Sequence, residues 1–142
     1  EERTACGEDL PQSVVAAVED CGYTNADELI AMQMENSFGL PAFPAMNLLN
    51  WRCEKVAGFN LHDAAPIDAV RHARVPILFI HGTKDTLVPP NMAEQLYAAA
   101  NAPKKELLMI PGAVHAAASQ ADQQTYFRTI RKFVQPYMEE QK

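Results

Sequence analysis

Two side chains of complementary chemistry stand at matched positions in this sequence: Asp85 follows Ile80 by five residues, and His115 follows Ile110 by five. A carboxylate that accepts an imidazole N–H fixes the tautomer of that imidazole and stabilises its protonated form, as a general base serving a nucleophile requires. Whether the pair can meet depends on the elements that carry it.

Val75 to Ile80 is a short apolar run with no alternating polar face, the pattern of a parallel strand covered on both sides. His81-Gly82 is expected to break the run, which puts Asp85 just past a strand's carboxyl end, where open α/β sheets place their chemistry. Asn91 with Glu94 fits a capping box and Pro89-Pro90 suits a helix entrance, so a helix is predicted over 92–100. Glu106 to Ile110 reads as another buried strand, ended by Pro111-Gly112. A strand, helix and strand in this order close as a right-handed crossover. Adjacent strands lie about 4.8 Å apart, so the loops carrying Asp85 and His115 emerge side by side.

At these residues the chain resembles a known family. Pro76-Ile-Leu-Phe-Ile-His-Gly-Thr-Lys-Asp85 with Val88-Pro89, and Ile110-Pro-Gly-Ala-Val-His115, are similar to the acid and histidine segments of the α/β-hydrolase superfamily. Val18-Glu-Asp-Cys-Gly-Tyr-Thr24 and Phe38-Gly-Leu-Pro-Ala-Phe-Pro44 resemble its bacterial branch of serine esterases and peptidase-like hydrolases, and the likeness covers about residues 10–136. The resemblance implies an α/β class with a partial α/β-hydrolase fold: about three parallel strands, flanking helices and a helical cap-like insertion over 38–60. Residues 1–142 would then be the carboxyl-terminal half of such a domain. It further implies Asp85 as triad acid, His115 as triad base, a small-molecule ester or acyl substrate, and neither cofactor nor metal. That family carries its nucleophile in an upstream Gly-x-Ser-x-Gly elbow. Ser13, Ser37 and Ser119 are the serines here and none stands in such a motif. The nucleophile and half of the oxyanion hole are therefore expected on polypeptide outside this chain, which alone should be inactive.

Cys21 is the tempting substitute, because Cys21, Asp85 and His115 keep the order nucleophile, acid, histidine. Against it, an elbow needs small residues two before and two after the nucleophile, and Glu19 and Tyr23 occupy those places. Asp20 is read as a structural carboxylate capping the Thr24 region rather than as an alternative acid. His81 is explained by the turn at Gly82, and His62 and His72 have no partner pattern.

Composition narrows the alternatives. The 142 residues suit one domain, with 48% hydrophobic and 21% charged residues. A net charge of −6 and no Lys/Arg cluster disfavour nucleic-acid binding. The longest uncharged stretch, Asn36 to Trp51, is interrupted by Gly39, Pro41 and Pro44, and it falls short of the ~20 apolar residues a membrane span needs. Glu1 is not a start methionine, so an upstream segment is expected, and the compartment stays open between cytoplasm and cell-surface anchoring. Cys6, Cys21 and Cys53 are widely spaced without a Cys-x-x-Cys pattern, so reduced structural thiols are expected.

Around this centre, Glu1 to Asp9 reads as frayed or the remnant of a helix, and Val14 to Val18 as a third buried strand. In the hydrolase arrangement its outer edge at 14–18 would face the missing half. Left open, such an edge invites pairing, so association with a second copy or with an amino-terminal half is expected. Thr24 to Asp27 opens a predicted core helix through Ser37, and Pro44 starts a second through Val56. Tyr23 to Arg74 exceeds the dozen or so residues a crossover needs. The surplus is either a cap lining an acyl pocket or an extra core-packing helix. A short helix over Ala64 to His72, with Pro66 at its first turn, and an amphipathic closing helix over Asp122 to Tyr137 complete the chain. The rival reading is a non-catalytic α/β module that self-associates and binds an apolar ligand.

Overall fold

A computed structural model describes residues 10–139 apart from Gln12. The readings made for Glu1 to Asp9, Cys6 among them, and for residues 140–142 lie outside the described residues. Three strands, β1 (Ala17–Asp20), β2 (Ile77–Gly82) and β3 (Lys105–Ile110), form one parallel sheet in the order β1-β2-β3. The helices are α1 (Ala26–Phe38), α2 (Ala42–Ala57), α3 (Pro66–Val70), α4 (Pro90–Ala99), α5 (Ala118–Ala121) and α6 (Gln123–Glu139), with a 3-10 turn at Leu61–Asp63.

β2 is the centre because all six of its residues are buried. Strand alternation sends Ile77 and Phe79 to one face, where they pack with Val70, Ala73, Leu96 and Ala100. Leu78 and Ile80 go to the other, against Ile110, Ala113, Ala118 and Phe133 of α6. Each such side chain removed from water is worth about 1.5–3 kcal/mol. A strand covered on both faces by helices is the arrangement its unbroken apolar run implied.

Several boundaries move. His81 and Gly82 do not break the strand but continue it, opposite Met109 and Ile110, because β3 stays in register to its end. The first strand lies at Ala17–Asp20 rather than 14–18: Val14 N–H is spent in a turn on Pro11, and pairing begins when Ala17 N–H donates to the carbonyl of Pro76. Its burial alternates, so it is a half-covered edge strand rather than a buried one. α4 starts at Pro90, with Pro89 in the cap position and no side-chain cap, so Asn91 is not a capping residue. Pro90 carries no N–H to be capped.

α1 is not a core helix, since Ala26 is its one buried residue. α2 buries none, with non-helical backbone at Phe43 ahead of its regular part. Phe43, Leu48, Trp51 and Val56 of α2 are all more than half exposed. In this chain the insertion is therefore packed on one side at most. No described helix is long and apolar enough to cross a membrane.

Candidate active site

The rim at the carboxyl ends of β2 and β3 is built by backbone bonds that run on past the ladder. Thr83 N–H donates to the Ile110 carbonyl at 3.0 Å and Lys84 N–H to that of Ala113 at 2.9 Å, while Gly112 N–H donates to Thr83 Oγ1 at 2.9 Å. The two loops are thereby clamped together. Gly82 permits the approach: a Cβ there would lie 2.3 Å from the Ala113 carbonyl oxygen. Pro111 and Gly112 turn the chain, Gly112 with φ of 76°, which only glycine takes without cost.

Asp85 is buried in this rim. Its Oδ1 accepts the N–H groups of Leu87 and Val88, each at 2.9 Å. Its Oδ2 faces His115 Nδ1 at 2.8 Å. A carboxylate oxygen accepts from an imidazole N–H, so this contact favours the tautomer with its proton on Nδ1, in which Nε2 is the acceptor. The His115 side chain is 36% exposed while that of Asp85 is sealed off. The structure thus brings together the two residues singled out from the sequence, with the acid anchored on its far side and the imidazole reaching outward.

His81 plays a larger part than its turn position suggested. It is fully buried, and its Nε2–H donates to the Val88 carbonyl at 2.9 Å, with Asp85 Oδ2 at 3.4 Å. Its Nδ1 has no partner among the described residues. It braces the loop that holds the acid. His62 sits elsewhere, paired with Asp27, a contact between residues 35 positions apart with no sequence signal.

Cys21 also reaches the rim. Its Sγ lies with an oxygen of Asp85 and a nitrogen of His115 in a group whose ligand atoms are all within 4.8 Å of one another. Thiol, carboxylate and imidazole are a donor set that suits zinc. The carboxylate is already committed to His115 and two amides, however, and burial followed by the Asp20 hydrogen bond pushes the thiol from an ordinary value of 9.0 up to about 12. A group so firmly protonated is a poor nucleophile at neutral pH. Asp20 does not cap the Thr24 region as the sequence suggested. Its carboxylate is occupied by the Cys21 thiol and the Tyr126 hydroxyl, while Thr24 Oγ1 bonds Glu28. Ser37 bonds Gln33 on α1, and Ser119 lies within α5.

The family model for serine aminopeptidase, S33, matches residues 7–122. The uncharacterized protein YqkD of Bacillus subtilis is 25% identical over 117 residues, covering 82% of this chain and 38% of that protein. The α/β-hydrolase domain-containing protein WAV2 of Arabidopsis thaliana is 27% identical over 131 residues, covering 83% and 42%. This chain therefore spans less than half the length of the curated relatives it matches. Among solved structures, the esterase Pf2001 of Pyrococcus furiosus superposes with a TM-score of 0.64 at 20% identity, over 91% of this chain and 47% of that one. A thermophilic esterase of Thermogutta terrifontis gives 0.62 at 17%, over 94% and 50%. The fold is a partial α/β-hydrolase fold.

Proposed function

The chain belongs to the serine aminopeptidase S33 family of α/β-hydrolases, and from that premise we propose that it supplies the acid and base, but not the nucleophile, of a Ser-His-Asp hydrolase acting on ester or related acyl bonds. The 2.8 Å contact of His115 Nδ1 with the buried Asp85 carboxylate carries the reading. In the assembled enzyme a serine on upstream polypeptide attacks the acyl carbonyl and His115 Nε2 takes its proton. Asp85 holds the resulting imidazolium, and His115 then returns the proton to the leaving group. Water repeats the sequence on the acyl-enzyme and releases the acid.

None of the three serines stands in an elbow motif, which supports placing the nucleophile elsewhere. The chain alone is then inactive, because half of the oxyanion hole is missing as well as the attacking group. The exposed apolar residues of α2 and the single pairing partner of β1 among the described residues favour an association surface there. That feature fits the upstream half of a longer protein, and equally the rival module that binds a second copy.

An aryl-ester assay separates the possibilities. The purified chain should not turn over the ester, and joining it to the polypeptide encoded upstream should restore a rate that His115→Ala abolishes. Turnover by the chain alone, blocked by a serine-directed phosphonate, would refute the assignment of the nucleophile. Restored activity that survives His115→Ala would refute the assignment of the base.

A further inference from the structure

Cys21 and Ala116 are the non-glycine residues with left-handed backbone among those described, with φ of 64° and 54°. One hydrogen bond joins them, Ala116 N–H donating to Cys21 Sγ at 3.2 Å. Strain of this kind persists only where the surroundings over-determine it. Here each strained residue turns one partner of that bond toward the other, and Ala116 directly follows His115.

The bond is the end of a longer chain of contacts. The Cys21 thiol donates to Asp20 Oδ1 at 3.1 Å, and the other oxygen of Asp20 accepts the Tyr126 hydroxyl at 2.8 Å. α6 is thus connected through the end of β1 to the backbone of the histidine loop. We propose that Cys21 is a positioning residue: its neutral thiol, oriented by Asp20 and Tyr126, holds the Ala116 amide and thereby keeps the His115 imidazole against Asp85. This rests on His115 being the base.

A thiol suits the place because it donates to a carboxylate and accepts from an amide at once. A thiolate would face the Asp20 charge with no proton between them. The upward displacement of the Cys21 pKa to about 12 keeps the donor in place at neutral pH. The same protonation accounts for a cysteine beside an acid–imidazole pair that does not act as nucleophile.

The test reads His115 in the chain itself, without any activity. In 15N-labelled protein at about pH 8, where imidazoles are mostly neutral, the ring nitrogen shifts report the ratio of the Nδ1–H to the Nε2–H tautomer. Comparison with His115→Ala identifies the signals. Cys21→Ser keeps a donor and acceptor and should leave the ratio close to wild type. Cys21→Ala should lower it about fivefold, the effect of losing one ordinary hydrogen bond. Tyr126→Phe should lower it in the same direction but less. Cys21→Ser and Cys21→Ala changing it equally would show that packing rather than hydrogen bonding matters, and would overturn the proposal. An unchanged ratio in Cys21→Ala would do the same. If Cys21→Ala does not fold, Tyr126→Phe decides, and a wild-type ratio there overturns the idea. Failure of the acid–base reading would appear separately, as restored ester hydrolysis that ignores His115→Ala.

Discussion

His115 Nδ1 meets Asp85 Oδ2 at 2.8 Å across thirty residues of chain, although the strand ends beneath them are not level. Gly82 of β2 stands opposite Ile110 of β3, so Asp85 lies three residues past the last paired position and His115 lies five past it. The Pro111-Gly112 turn takes up the difference and folds the histidine loop back over the acid. The contact therefore depends on the loop clamp as much as on the sheet, and changes at either should be measurable.

Asp85→Ala and Asp85→Asn should separate the two duties of the acid. Alanine orphans the N–H groups of Leu87 and Val88 that Oδ1 now satisfies. At about 1–3 kcal/mol for an unsatisfied buried group, a total loss of roughly 2–4 kcal/mol is expected in urea denaturation. Asparagine keeps an oxygen for both amides, so its cost should stay within about 1 kcal/mol. Its amide N–H then faces His115 Nδ1 and forces the opposite tautomer, which imidazole nitrogen shifts would reveal. Equal destabilisation by both substitutions would contradict this division.

Gly82→Ala should be among the most damaging small changes. The added Cβ would lie 2.3 Å from the Ala113 carbonyl oxygen and 2.7 Å from its carbon. Backbone cannot swing aside as a side-chain tip can, so the histidine loop must lift away from Thr83 and Lys84. Overpacking of this kind typically costs about 1–3 kcal/mol, sometimes more. The denaturation midpoint should fall accordingly, with loss of the amide protection at Lys84 that reports its bond to Ala113. A midpoint unchanged from wild type would show that the loop approach tolerates a side chain.

How far such relationships could be read in advance varies by residue. The apolar run at 75–80 announces a strand covered on both faces, and Asp85 and His115 are marked by what precedes them. The equal five-residue offsets were partly fortuitous, since the register pairs Ile80 with Leu108 and not with Ile110. Register is a property of two strands together, and neither sequence states it alone. The Asp20, Cys21 and Tyr126 chain was illegible for a similar reason: Tyr126 lies 106 residues from Asp20. In the sequence it shows only as one apolar position of a closing helix. The core-helix expectation for α1 fails because apolar content signals burial, yet in this chain the side chains of α1 have little to be buried against.

Alkaline pH should weaken the fold through Cys21 and Tyr126. Burial and then Asp20 raise the Cys21 pKa from 9.0 to about 12, and the same causes raise that of Tyr126 from 10.0 to about 12. The unfolded chain loses these protons near 9.0 and 10.0 while the folded chain keeps them, so between those values and about 12 the unfolded state binds fewer protons. Stability is fully present below pH 9 and declines as pH rises toward 12. The denaturation midpoint should drop between about pH 8 and pH 11, and Cys21→Ser or Tyr126→Phe should each reduce the drop. Variants that follow the wild-type curve would place the alkaline sensitivity in other groups.

The chain should also associate in solution. β1 pairs with β2 alone among the described residues, and the outer edge of a terminal strand is where another strand can add. Separately, Leu48, Trp51 and Val56 of α2 are each more than half exposed, a concentration of large apolar side chains on one helix. The solved relatives are about twice as long as the part this chain covers, so polypeptide is available in them to cover the corresponding surface. Without a cover, the apolar face should drive self-contact. Sedimentation velocity should give a mass above the 15.7 kDa of one chain at tens of micromolar, by about the concentration at which modest interfaces form. Trp51→Glu with Leu48→Glu should weaken association roughly tenfold or more, since each buries a charge in the contact, while the circular dichroism spectrum stays that of wild type. If Val18→Lys at the strand edge weakens it and the α2 pair does not, the sheet edge is the interface. A monomer at every concentration would show that neither surface drives self-contact, and would leave an upstream half as the remaining candidate to cover them.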